Sequence, residues 1–134
     1  MLAPATAFYA TALVVLKLFL VWRVIALRQH HGIGLGDGGN RDLELAIRTH
    51  GNYMEYLPLL LILLFIAEMN GVADAALHGV GVLFIASRLA HALGMSQGRG
   101  RWHIGRAGGV VGTWLALLML CVLLVHNALS ISYL

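Results

Sequence analysis

Charge is scarce in this chain. Only 11% of its 134 residues are charged and 60% are hydrophobic, where soluble domains carry about 25% charged residues. Too few polar residues remain to cover a soluble core, so the composition assigns residues 1–134 to the membrane class as a single domain. Cysteine is reduced to Cys121, inside an apolar stretch, which excludes an intramolecular disulfide and leaves a small hydrophobe. No lysine or arginine precedes Lys17 or follows Arg106. Lacking a basic n-region, the apolar run at 7–22 reads as an uncleaved first span and not as a signal peptide. No fixed-period repeat or low-complexity tract is present, and the glycine-rich stretch lacks the GK[ST] of a phosphate-binding loop. His30, His31, His78, His103 and His126 have no metal-ligand spacing with a carboxylate or cysteine, so no metal site is expected. The basic residues flank apolar spans and form no stripe on a soluble face, which argues against a nucleic-acid partner.

What basic charge there is lies in two clusters, Arg23 to Arg48 and Arg88 to Arg106. The intervening "AEMNGVADA" holds Glu68 and Asp74 and no cation. By the positive-inside rule the loops at 28–40 and 97–102 are cytoplasmic, and both termini and the 68–75 turn lie outside. That alternation predicts an all-α integral membrane protein, a bundle of four transmembrane helices over about 5–27, 41–69, 72–96 and 103–130. "RQHHGIGLGDGGN" is expected to be a loop. Asn40 fits an N-cap, with Asp42 and Glu44 in the first turn, and Asn70-Gly71 fits a helix end. In the fourth span, Gly108 and Gly112 form a G-x-x-x-G, which permits close helix approach in lipid.

The second span carries polar residues where solvation is poor: "RTHGNYMEYLP" runs directly into "LLLILLFIA". With Arg48 taken as zero on a helix, Glu44 falls at about −40°, Asn52 at about +40° and Glu55 at about −20°. These four share one face, Tyr56 lies beside them at about +80°, and His50 points away at about 200°. Pro58 follows and removes one backbone hydrogen bond. In the third span Arg88 and His91 are three residues apart, with Met95 on nearly the same line, and Arg106 opens the fourth span. Ionisable groups at membrane depth usually face a bundle interior or a wet cavity, so a polar pocket lined by spans two, three and four is expected. Arg48 and Glu55 could instead pair with each other, or with Arg88, purely to hold the bundle together. Arg23, Arg28, Arg99 and Arg101 read as anchors that snorkel toward water, whereas mid-span Lys17 must pair or reach a wet site. More cationic donors converge than structural pairing needs, and arginines with an amide and a carboxylate suit a small anionic or zwitterionic ligand.

These same residues carry a resemblance to a known family. "RTHGNYMEYLP" resembles the R-x-x-x-N-x-x-E signature of MAPEG proteins (membrane-associated proteins in eicosanoid and glutathione metabolism), here Arg48, Asn52 and Glu55 with Tyr56 and Pro58 also fitting. "GVLFIASRLAHALG" resembles their third helix, with R-x-x-H at Arg88 and His91. "GDGGNRDLELAIRTHGN" and "EMNG" look most like the short bacterial branch, which implies a bacterial inner membrane. The resemblance implies a homotrimer that binds glutathione as co-substrate between subunits near the cytoplasmic face. Arg48, Asn52, Glu55, Tyr56, Arg88 and His91 would hold the peptide, with Arg106 and a basic residue late in the first span, Arg28 or Arg23, completing the site. A free thiol titrates near pH 8.5, and an arginine beside the sulfur favours the nucleophilic thiolate; Arg106 is the candidate for that catalytic role. Lipophilic electrophiles would arrive from membrane lipid, so a glutathione transferase or peroxidase is expected. One departure stands out: where family enzymes often place a tyrosine, one turn beyond R-x-x-H, this chain has Met95. A non-catalytic binder of glutathione or lipid with the same fold is therefore the alternative. A small four-span exporter fits less well, because such transporters rely on an isolated glutamate in an aromatic-lined first span.

Overall fold

The computed structural model describes residues 2–131. Four helices account for nearly all of them: α1 (Pro4–His31), α2 (Arg41–Met69), α3 (Asp74–Gln97) and α4 (Ile104–Ile131). All four are long and apolar enough to cross a membrane. Each end is set by local chemistry. Pro4 opens α1, where its missing N–H is not needed. The Asn40 side chain accepts from the Leu43 amide at 2.9 Å and caps α2, as its position predicts. Gly71, with φ 76, closes the turn after α2, and Val72 N–H reaches back to the Ala67 carbonyl at 3.1 Å.

The first span is longer than its hydropathy suggests. Arg28, Gln29, His30 and His31 continue α1, and the loop begins only at Gly32, which adopts the left-handed conformation (φ 65). Ile33 N–H then bonds the Arg28 carbonyl at 3.0 Å, closing the helix. Arginine and glutamine are good helix formers, and cations in a last turn oppose the negative end of the helix dipole. Polarity moved this stretch out of the hydrocarbon without ending the helix. α2 likewise runs without a break through Pro58.

α1 packs chiefly on α2 and α4 on α3; α2 also touches both α3 and α4, while α1 and α4 make no contact among the described residues. The interior is a continuous apolar column that includes Leu13, Leu60, Leu64, Leu77, Val80, Phe84 and Leu120. Polar ties inside it are few and satisfied: the Tyr53 hydroxyl donates to the Leu13 carbonyl at 2.6 Å and the Tyr9 hydroxyl to the His78 carbonyl at 3.0 Å. Large apolar side chains such as Phe8, Val15, Leu18, Trp22, Val122 and Val125 face outward, as lipid contact requires.

The α3–α4 seam is close because glycines line it, though of the expected pair only Gly112 takes part. Gly108 faces open space. A Cβ on Gly109 would overlap Ser87 and His91, one on Gly112 would overlap Ser87, and one on Gly94 would overlap the Arg106 backbone. The close approach thus sets Gly94 of α3 against Gly105 and the Arg106 backbone, and Gly109 and Gly112 of α4 against Ser87 of α3, because those glycines, not Gly108, turn toward the seam.

Candidate functional site

A polar cavity of about 230 Å³ opens between α2, α3 and α4, lined by Ile47, Arg48, Gly51, Asn52 and Glu55 of α2, His91 and Met95 of α3, and Arg106 of α4. The helical face drawn from the sequence is the wall of this cavity. Gly51 and Ile47 line the same wall but give no signal in the sequence, because neither carries a polar group; helical projection puts Gly51 about 60° from Arg48. Glu44 is a correction. It forms an ion pair with Arg41 at 2.6 Å, one turn back, and does not line the cavity.

Arg48 and Glu55 are both exposed on the isolated chain, and no ion pair joins them among the described residues. Glu55 receives one long contact, 3.3 Å from Asn52 Nδ2. The purely structural pairing of Arg48 with Glu55 is therefore absent, and both charges remain available.

Arg88 works from behind the wall. It is 1% exposed. Its Nη1 donates to Asn52 Oδ1 at 3.1 Å and its Nη2 to the Gly109 carbonyl at 2.9 Å, an acceptor shared with the Thr113 hydroxyl at 2.7 Å. The guanidinium also lies 5.3 Å from the Tyr56 ring centroid and 5.8 Å from that of Phe84. A buried cation without a carboxylate partner survives only where other groups replace water; two carbonyl oxygens and two rings do so here, while Nε has no hydrogen-bond partner. The result is a chain from Arg88 through Asn52 to Glu55. Tyr56 stands outside the cavity lining, and its hydroxyl accepts from Trp114 Nε1 at 3.2 Å.

Arg106 reaches the cavity because Gly94 admits its backbone against α3. Its Nη1 is anchored on the Gly100 carbonyl at 2.9 Å, which fixes the guanidinium. On its other side Arg106 borders an apolar groove of about 330 Å³ formed by Trp102, His103, Ala107, Val110, Val111 and Trp114. One cation thus joins a polar cavity to an apolar groove, an adjacency that the sequence did not disclose. The α1 candidates lie elsewhere on this chain. Arg28 donates to the Ile33 carbonyl at 3.3 Å, Arg23 to Ser96 Oγ at 2.7 Å, and Lys17 sits near His50 on the α1–α2 seam. No group of three or more metal-ligating side chains occurs among the described residues.

Four membrane-crossing helices, packed through a glycine seam and holding a charged cavity toward one end, define an integral-membrane helix bundle with a polar cavity among three of its helices. The model of the MAPEG family matches residues 6–126, and the chain belongs to that family. It is 36% identical over 115 residues to the "Inner membrane protein YecN" of Escherichia coli strain K12, covering 86% of each chain. The protein of the same name from E. coli O6:H1 matches to the same extent.

Proposed function

We propose that this protein binds glutathione in the Arg48–Asn52–Glu55 cavity and presents its thiolate to lipophilic electrophiles, as a membrane glutathione transferase or peroxidase. The observation that carries the reading is the unpaired state of Arg48 and Glu55 on one wall, with Arg106 opposite. Glutathione brings two carboxylates and an ammonium. Arg48 suits a carboxylate, Glu55 suits the ammonium, and Asn52 is held in register by Arg88. Arg106 would stand beside the sulfur and stabilise the thiolate once its proton passes to solvent. The thiolate pair then attacks an electrophilic carbon lying in the apolar groove, and the leaving group departs with its bonding electrons.

The open cavity and the exposed charges at membrane depth call for a cover, and a homotrimer in which a neighbouring α1 brings Arg28 over the site supplies one. The basic loops would face the cytoplasm of a bacterium. Met95 supports a second reading: it fills the α3 wall and offers no proton donor near the sulfur, which suits a glutathione-binding protein without turnover.

Calorimetric titration of the detergent-solubilised protein with glutathione tests both. Saturable binding is expected, and its absence at millimolar glutathione would refute them together. Conjugation of a hydrophobic aryl halide, lost in Arg106→Ala, separates the transferase from the silent binder.

A further inference from the structure

A second cavity, of about 520 Å³ and sharing no lining residue with the first, is lined by Trp22, Arg23, Ala26, Leu27 and His30 of α1, Asp42 of α2, Ser96 of α3 and Arg99 of the α3–α4 turn. The proposed function makes no use of its interior. We propose that this cavity binds the phosphate of an anionic phospholipid, with an acyl chain laid along the outer face of α1.

Charge supports an anion. Arg23, His30 and Arg99 face the space against a single carboxylate, Asp42. Asp42 is already engaged, 3.2 Å from Arg99 Nη2, and that pair is more than half exposed on both sides, so its hold on the guanidinium is weak. Arg23 is half-buried and spends one donor on Ser96 Oγ, which aims the group and leaves its remaining N–H donors free. Three separate segments therefore converge, where arginines that merely snorkel would diverge into solvent.

The backbone around Arg99 is held in a costly shape. Arg99 has φ 46, in the left-handed region that non-glycine residues avoid. Its carbonyl accepts from Arg41 Nη2 at 3.2 Å, and Gly100 beside it leaves no room for a Cβ against Arg41 and Leu45. The turn is built around its contacts with the start of α2, and this conformation carries the Arg99 side chain to the cavity rim.

Depth and apolar continuity favour a lipid over a free phosphate. α1 has 28 residues, or roughly 42 Å, close to the ~40–45 Å of a bilayer with its headgroups. Arg23 is eight residues from the end of α1, about 12 Å, so its Cα lies about 6 Å inside the hydrocarbon and its long side chain can reach the headgroup boundary. Directly outward of it, Trp22 is 61% exposed and Phe19 55%, their rings 6.1 Å apart, a surface for an acyl chain. Basic pockets between helices at this level bind anionic headgroups.

Native mass spectrometry of the detergent-released protein with phosphatidylglycerol and chain-matched phosphatidylcholine provides the test. Phosphatidylglycerol should be retained roughly tenfold better, and the preference should vanish in the Arg23→Gln/Arg99→Gln double variant. It should persist in Arg101→Gln, whose side chain is exposed and outside the cavity. Equal retention of the two lipids, or an undiminished preference in the double variant, overturns the site. If Arg23→Gln does not fold, Arg99→Gln alone carries the test, because it removes only an exposed pair. Glycerol 3-phosphate should compete weakly; competition as strong as the lipid's would overturn the lipid and assign the site to a soluble phosphate. None of these outcomes depends on glutathione binding.

Discussion

Two glutamates on the same helix have opposite fates. Glu68, at the end of α2, accepts the Ala5 amide on one oxygen and the Thr6 amide on the other, both at 2.7 Å, and so caps the start of α1. Those amides have no partner within their own helix, and a carboxylate at the positive end of a helix dipole is favoured twice over. Glu55, thirteen residues earlier, has one amide contact at 3.3 Å and faces a cavity. Residue type and helix are the same, but one carboxylate has its acceptor capacity used by the fold and the other does not. Among charges near a membrane, full engagement marks structure and incomplete engagement marks a place for something else.

The sharpest way to break the contrast is to remove each charge in turn. Arg48→Ala and Glu55→Gln should each weaken glutathione binding by roughly a hundredfold, the scale of losing one partner of a desolvated charge pair. Melting in detergent should stay near that of the parent; unfolding instead would move Glu55 into the structural class. Arg88→Ala should lose both properties, because it deletes a buried guanidinium that holds Asn52 and leaves the Gly109 carbonyl with one donor fewer. About 3 kcal/mol of stability is at stake there, and a melting temperature unchanged with binding intact would refute the chain from Arg88 to Glu55. Gly94→Ala should cost about 1–3 kcal/mol by forcing α3 off α4, and it should lower conjugation by displacing Arg106; a thermal melt together with the rate assay reads both. Glu68→Gln should cost about 1–2 kcal/mol through its two charged hydrogen bonds while glutathione titrates as before. Smallest is Arg41→Ala, which removes an exposed ion pair with Glu44 and an exposed hydrogen bond to the Arg99 carbonyl, together worth about 1 kcal/mol.

Much of this was legible in the sequence, for identifiable reasons. Four spans follow from hydropathy, and the Asn40 and Gly71 helix ends follow from cap chemistry; these signals are local and survived folding. The Arg48, Asn52 and Glu55 wall was legible too, because helical periodicity alone puts those side chains on one line. What misled was polarity read as a boundary: Arg28 to His31 are polar yet helical, since leaving the hydrocarbon does not end a helix. Glu44 sits on the predicted line but turns to Arg41, a nearer cation that angular projection cannot weigh. Gly108 fitted a spacing motif and faces nothing, while Gly94, in no motif, admits Arg106.

By itself, then, the sequence determined a four-helix membrane chain with a charged face on its second helix, because hydropathy and a 3.6-residue period are properties of single segments. Only the tertiary structure decided that Arg88 stands behind Asn52, that Arg106 borders both a polar cavity and an apolar groove, and that Glu68 is used up while Glu55 is not. Each of those depends on which helices abut and how closely. That is set by side-chain and glycine contacts between residues far apart in the chain, which no single segment encodes.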